Sequence, residues 1–121
     1  MICLAAGAKV VPLLAGALTL AWTHSVEKIL WEEDWRSGPA GLELVEARVR
    51  GSGAGMDPPP EARFEHGVWK WHPQVPPLRE VILRRSGATA DWQICIEGRC
   101  RPMDEIMPPA ADPVVMKACE P

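Results

Sequence analysis

Proline and glycine break this chain into short segments. Its 121 residues include 13 Pro and 10 Gly, which disfavours long helices. Hydrophobic residues make up 47% of the chain, a share that is too high for a disordered protein. A chain of this length can bury the core of one domain, so we expect a single β domain over residues 1–121.

Between these breaks, apolar residues recur at every second position, as in Leu18, Leu20 and Trp22. A period of two predicts strands with one apolar face. Val45, Ala47 and Val49 are expected to share such a face. Segment 103–107 fits either a strand or one helical turn. The expected strands are 2–6, 9–14, 18–23, 29–35, 42–50, 63–65, 68–71, 80–84, 91–96 and 113–119. This pattern predicts an antiparallel β-sandwich or a partly open β-barrel of eight to ten short strands.

Charge and hydropathy exclude some classes of partner. The formal net charge is -3 and the Lys and Arg residues are scattered, so no basic stripe for nucleic acid exists. Lys9 interrupts the apolar run at the amino terminus. That run therefore favours two strands around Gly7 over a cleavable signal or a transmembrane segment.

Segment 22–35 concentrates Trp and acidic residues. On strands, His24 would share a face with Trp22, and Glu33 with Trp35. Inward-facing His24 and Glu33 could act as an acid and a base with shifted pKa values, or form a buried pair that fixes register. Ser25 would point away from His24, which disfavours a serine nucleophile system. Four rings are expected to be largely buried: Trp22, Trp31, Trp35 and Trp92.

No metal or cofactor motif is present. Glu32, Glu33 and Asp34 alternate sides on a strand and cannot converge on one ion, so Glu32 and Asp34 are expected on a solvated face. The glycine-rich run 51–56 lacks the Lys-Ser/Thr ending of a phosphate loop. It fits a loop with positive φ, or a backbone wall for an anionic ligand. Trp69 and Trp71 fit core packing or one wall of a ligand cleft.

The four cysteines are expected to pair. Cys95 and Cys100 flank a Glu97-Gly98 turn that would make them a non-hydrogen-bonded pair, whose Cα atoms lie about 4.5 Å apart, within disulfide reach. Cys3 and Cys119 lie in strand-like ends that antiparallel pairing would bring together. Zinc ligation, which would need a second close pair of ligands, and reduced thiols are the alternatives.

Three blocks of the sequence resemble a known family. They are Thr23-His24-Ser25-Val26, Glu33 with Trp35-Arg36, and Gly53-Ala54-Gly55-Met56. In their order and spacing they are similar to the bacterial family called domain of unknown function 1850. Its members tend to be encoded beside tripartite ATP-independent periplasmic (TRAP) transporters of the TAXI type.

The resemblance implies a small accessory or binding protein in a periplasmic setting, in contact with a transporter subunit or substrate-binding protein. It also implies a binding or structural site at the motif residues, which are His24, Ser25, Glu33, Trp35, Gly53, Ala54, Gly55 and Met56. The alternative is a small metal-dependent or acid/base enzyme that uses His24 and Glu33.

Overall fold

The computed structural model describes residues 1–23, 29–50, 58–86 and 90–119. These residues form eleven strands and one 3-10 turn, Met103–Glu105, so segment 103–107 begins with a helical turn. The strands are β1 (Ile2–Ala6), β2 (Lys9–Pro12), β3 (Ala17–Thr23), β4 (Leu30–Gly38), β5 (Gly41–Arg50), β6 (Arg63–Glu65), β7 (Val68–Trp71), β8 (Glu80–Leu83), β9 (Gln93–Ile96), β10 (Arg99–Pro102) and β11 (Val114–Ala118).

Two antiparallel sheets face each other. The smaller sheet has the order β2-β1-β11-β8, and the larger has the order β10-β9-β3-β4-β5-β7-β6. The sheets do not close into a barrel, so the expected antiparallel sandwich is confirmed. The described segments hold eleven strands, one more than the ten expected from the sequence, because Arg99–Pro102 forms a strand of its own, β10, that pairs with β9. No helix in these segments is long and apolar enough to span a membrane.

The core lies between the two inner faces. Leu18 and Leu20 of β3 and Trp35 of β4 pack against residues of the smaller sheet, as their alternation in the sequence predicts. The larger sheet also contributes Leu42 and Ile94, and the smaller sheet and the turn after β10 contribute Ile2, Leu4, Leu83, Met103, Met107, Val114 and Met116. Large apolar side chains from both sheets thus form the core.

Both expected disulfides are present. Cys3 of β1 is bonded to Cys119, with a separation of 5.9 Å between the Cα atoms. Cys95 of β9 is bonded to Cys100 of β10, and these two residues are direct partners in the register. The first bond ties the two ends of the described chain together, and the second closes a hairpin.

A β-bulge reverses the faces of β5. Trp35 of β4 pairs with Leu44, whereas its neighbour Asp34 pairs with Glu46, so Val45 is the extra residue. Val45 is 36% exposed, and Ala47 and Val49 are buried. The expectation that Val45 shares a face with Ala47 and Val49 is therefore wrong, because one inserted residue shifts the alternation by one.

Gly41 is required where β5 begins. Its φ is +128°, and a Cβ atom there would lie 2.5 Å from the carbonyl oxygen of Leu78. Leu42 donates a backbone hydrogen bond to that same oxygen over 2.7 Å. The Leu78 carbonyl group cannot move away from Gly41 without loss of this hydrogen bond. The fold therefore fixes the short distance between Gly41 and this carbonyl group.

We expect Gly41→Ala to lower the free energy of unfolding by more than about 2 kcal/mol, because strain at positive φ adds to the clash. Gly67→Ala is the matched control. Gly67 also has a positive φ, but its added Cβ would meet no atom within 4 Å. Urea denaturation of both variants measures the difference, and equal losses of stability would show that the carbonyl can move.

Candidate functional site

Glu33 points from β4 toward the inner face of the larger sheet. It pairs with Leu20 on one side and with Ala47 on the other, and both neighbours are buried. Trp31 and Trp35, two residues away on the same strand, share its face. A carboxyl group is thus placed among apolar and aromatic side chains, where the alternation in the sequence predicts it.

Burial raises the pKa of the Glu33 carboxyl above its ordinary value, although a hydrogen bond from Trp35 opposes the shift. In that bond Trp35 Nε1 donates to Glu33 Oε1 over 3.3 Å. Desolvation favours the neutral form of a carboxyl, and a neutral carboxyl can both donate and accept a hydrogen bond. Glu33 is therefore chemically unlike the solvated acids of this chain.

An aromatic row crosses the larger sheet beside Glu33. Register places Trp22, Trp31, Val49, Trp69 and Phe64 side by side on one face of five neighbouring strands. The Trp22 and Trp31 rings are stacked with centroids 5.8 Å apart, and Phe64 and Trp69 are tilted at 4.8 Å. Trp92 extends the row, because its ring lies 5.0 Å from that of Trp22.

The rings of this row are less buried than expected. Trp35, outside the row, is only 4% exposed, but Trp22, Trp31 and Trp92 are half-buried. The physical reason is position, since Trp22 and Trp31 form the last pair of β3 and β4 on the inner face. Trp69 and Trp71 are also half-buried, and the core cluster of the described residues includes neither.

One indole nitrogen in the row is not satisfied. Trp92 Nε1 donates to the backbone oxygen of Arg84 over 2.9 Å. Trp31 Nε1 is buried and has no hydrogen-bond partner within the described structure. A buried donor without an acceptor carries a desolvation penalty of about 1–3 kcal/mol. Such a donor can bind an acceptor atom of a ligand.

The opposite face of the same sheet carries an ion network. Arg48 binds Asp34 through two nitrogens, at 2.7 and 2.8 Å, and also contacts Glu46 and Glu32. Thr19 Oγ1 donates to Asp34 Oδ1 over 2.6 Å. Arg48 lowers the pKa of Asp34, and Asp34 in turn raises the pKa of Arg48.

Sequence reasoning missed this network. The expectation of a solvated face for Glu32 and Asp34 is wrong in one respect, because Arg48 pairs with both and only 15% of the Glu32 side chain is exposed. The register of β4 against β5 explains this pairing. Arg48 lies directly opposite Glu32, and Asp34 is its diagonal neighbour, two residues further along β4. The sequence would reveal this ion network only if β4 and β5 were already known to be neighbouring strands.

The remaining motif residues lie outside the described segments. These are His24, Ser25, Gly53, Ala54, Gly55 and Met56. Of the predicted site, the structure therefore places Glu33 and Trp35, which share an inner face and a hydrogen bond. In the described segments, no three His, Cys, Asp or Glu side chains are grouped so that they could hold a metal ion.

Glu33 should make stability depend on pH. Its folded pKa exceeds the unfolded one, so the native state binds the proton more tightly, and stability should fall as pH rises between the two values. We expect Glu33→Gln to remove this decline and to be the more stable form at neutral pH. Urea denaturation over a pH series gives the difference curve, with exposed Glu80→Gln as the control. A wild-type minus Glu33→Gln curve that rises with pH would contradict the assignment.

A family model described as "Domain of unknown function (DUF1850)" matches residues 18–103. The match covers β3 to β10 and includes both Glu33 and Trp35. Searches of curated proteins and of solved structures return no match.

Proposed function

The chain belongs to the DUF1850 family, and on this basis we propose that it is a small binding module that serves a TAXI-type TRAP transport system. The partner would be the substrate-binding protein or the permease of that system. The transport link comes from the resemblance of the motif blocks to proteins encoded beside such transporters. The structure supports the binding role through one observation, the half-buried Glu33 carboxyl within an aromatic surface.

Two polar groups favour binding over a purely structural role. Glu33 is a carboxyl whose burial disfavours its charge, and Trp31 Nε1 is a buried donor without an acceptor in the described structure. Burying a carboxyl among apolar side chains or a donor without an acceptor is unfavourable, and such groups are enriched at functional sites, where a ligand can complete their contacts. An aromatic surface with few polar groups is typical of ligand sites.

We assign the site to Glu33 and Trp35 together with His24, Ser25 and the segment Gly53 to Met56. The strands that lead into these segments support the grouping. β3 ends at Thr23, which pairs with Leu30, and β5 ends at Arg50, one residue after the pair of Val49 with Trp31. The carboxyl ends of β3 and β5 therefore lie at the same end of the larger sheet, next to the aromatic row.

The proposal is tested with purified components. Wild-type protein should bind the TAXI-type substrate-binding protein or the detergent-solubilised permease in a titration calorimeter. Glu33→Gln should weaken this binding by at least about tenfold, the loss expected when one buried charged or polar partner is altered. Exposed Glu65→Gln, on the edge strand β6, should leave it unchanged. No binding to either component would refute the transport assignment.

The raised pKa of Glu33 also favours a second candidate function, general acid or base catalysis together with His24. The two functions predict different results in cells that depend on the partnered transporter for uptake. A binding module with Glu33→Gln loses partner affinity and uptake together. If the protein is an enzyme instead, the same change should abolish turnover of its substrate and leave its affinity for the transporter component unchanged.

A further inference from the structure

The two disulfides are placed very differently. Cys3 is 3% exposed and lies in β1, between β2 and β11. Cys100 is exposed and lies in β10, which pairs with β9 alone among the described strands. Thiol–disulfide exchange requires an attacking thiolate to reach a sulfur atom. The two bonds therefore differ in their access to an external thiol.

The surroundings of the hairpin disulfide distinguish its two sulfurs. Cys95 is half-buried and lies directly opposite Thr19 of β3, whereas the far side of Cys100 is the outer edge of the sheet. Both cysteines line a surface depression of about 540 Å³, together with Glu97 and Gly98. A thiolate must approach a sulfur along the line of the S–S bond. Because β10 is an edge strand and Cys95 pairs with Thr19 of β3, we expect this approach to be less obstructed at Cys100 than at Cys95.

We propose that Cys95–Cys100 is a site of thiol–disulfide exchange with a protein dithiol. The first thiolate of the dithiol attacks Cys100 Sγ, the S–S bond breaks, and Cys95 leaves as a thiolate that takes up a proton. The second thiol of the partner then attacks the mixed disulfide and releases Cys100 as a thiol. Two electrons and two protons pass to this chain, and the partner becomes a disulfide.

The hairpin is built to survive this reduction. Glu97 and Gly98 both have positive φ, at 52° and 80°, which is the backbone of a two-residue turn that matches strand twist. Ile94 of β9 is 2% exposed and belongs to the core cluster, and β9 remains paired with β3. The turn, the core contact and the strand pairing do not depend on the S–S bond, so the exchange is reversible in the folded protein.

Graded reduction tests the difference in access. Folded protein is treated with increasing dithiothreitol, alkylated, and mapped by mass spectrometry. Cys95 and Cys100 should be labelled at least about tenfold faster than Cys3 and Cys119, because exchange rates follow the access of the attacked sulfur. Circular dichroism of the partly reduced form should match that of the oxidised protein. Labelling of all four cysteines at one rate would overturn the proposal.

Trapping tests the partner class and the attacked sulfur. A Cys-x-x-Cys reductase whose second cysteine is replaced by Ser cannot resolve the mixed disulfide, so it should remain attached to Cys100. The Cys95→Ser/Cys100→Ser variant is the control and should form no adduct. Reduction by dithiothreitol without any adduct to the reductase would refute a protein dithiol as partner. An adduct at Cys95 would refute the edge-directed attack.

Discussion

Removal of the Cys3–Cys119 disulfide is expected to lower the free energy of unfolding by about 5 kcal/mol, against about 2 kcal/mol for Cys95–Cys100. The reason is loop length. The first bond spans 116 residues and the second spans 5, and a longer closed loop removes more conformational entropy from the unfolded chain. Burial acts in the same direction, because Cys3 is 3% exposed whereas Cys100 is exposed.

The measurement compares two double variants, Cys3→Ala/Cys119→Ala and Cys95→Ala/Cys100→Ala, by urea denaturation. Alanine avoids placing a hydroxyl group at the buried position 3, where an unsatisfied polar atom would add its own penalty. The two variants differ mainly in loop length and burial. A larger loss of unfolding free energy in Cys95→Ala/Cys100→Ala would contradict the prediction, because it would show that loop entropy of the unfolded chain does not control the stabilisation by these bonds.

The sequence predicts the layers of this fold well, because the inner faces follow local alternation. Leu18, Leu20 and Trp35 lie on the inner face at the positions that a period of two requires. The hairpin disulfide is predictable for the same reason, since Cys95 and Cys100 are equally spaced from a two-residue turn. Local patterns suffice where the contacts are local or the period is uninterrupted.

Features that depend on neighbouring strands could not be predicted. The bulge at Val45 needs the register of β4 against β5, and no residue type at that position signals it. The Arg48–Asp34 pair joins residues that are 14 apart in sequence and depends on the same register. At the site, alternation places Glu33 beside Trp35, but the burial of Trp31 Nε1 without an acceptor among the described residues follows only from three-dimensional packing.

Arg85 is a second determinant of stability, and composition gives no sign of it. Its side chain is 5% exposed and forms an ion pair with Asp91. Its guanidinium also donates to three backbone oxygens in the turn that precedes β11, those of Met107, Pro108 and Ala111. One buried cation thus joins the chain after β8 to the chain before β9 and to the turn that carries Met107 into the core.

We expect Arg85→Met to lower the free energy of unfolding by about 3–5 kcal/mol, because it leaves the Asp91 carboxylate without its cationic partner and several carbonyl oxygens without their donor. Arg84→Met is the matched control. Arg84 is exposed, and its one polar contact among the described residues is the hydrogen bond that its backbone oxygen accepts from Trp92 Nε1, so the change should stay within about 0.5 kcal/mol. The double variant Arg85→Met/Asp91→Asn should be more stable than Arg85→Met alone, because it removes the unpaired charge and keeps an oxygen that accepts from the Trp92 backbone N–H. Denaturant unfolding of the three variants gives this comparison. Additive losses would show that Arg85 stabilises the fold through its backbone contacts and not through the ion pair.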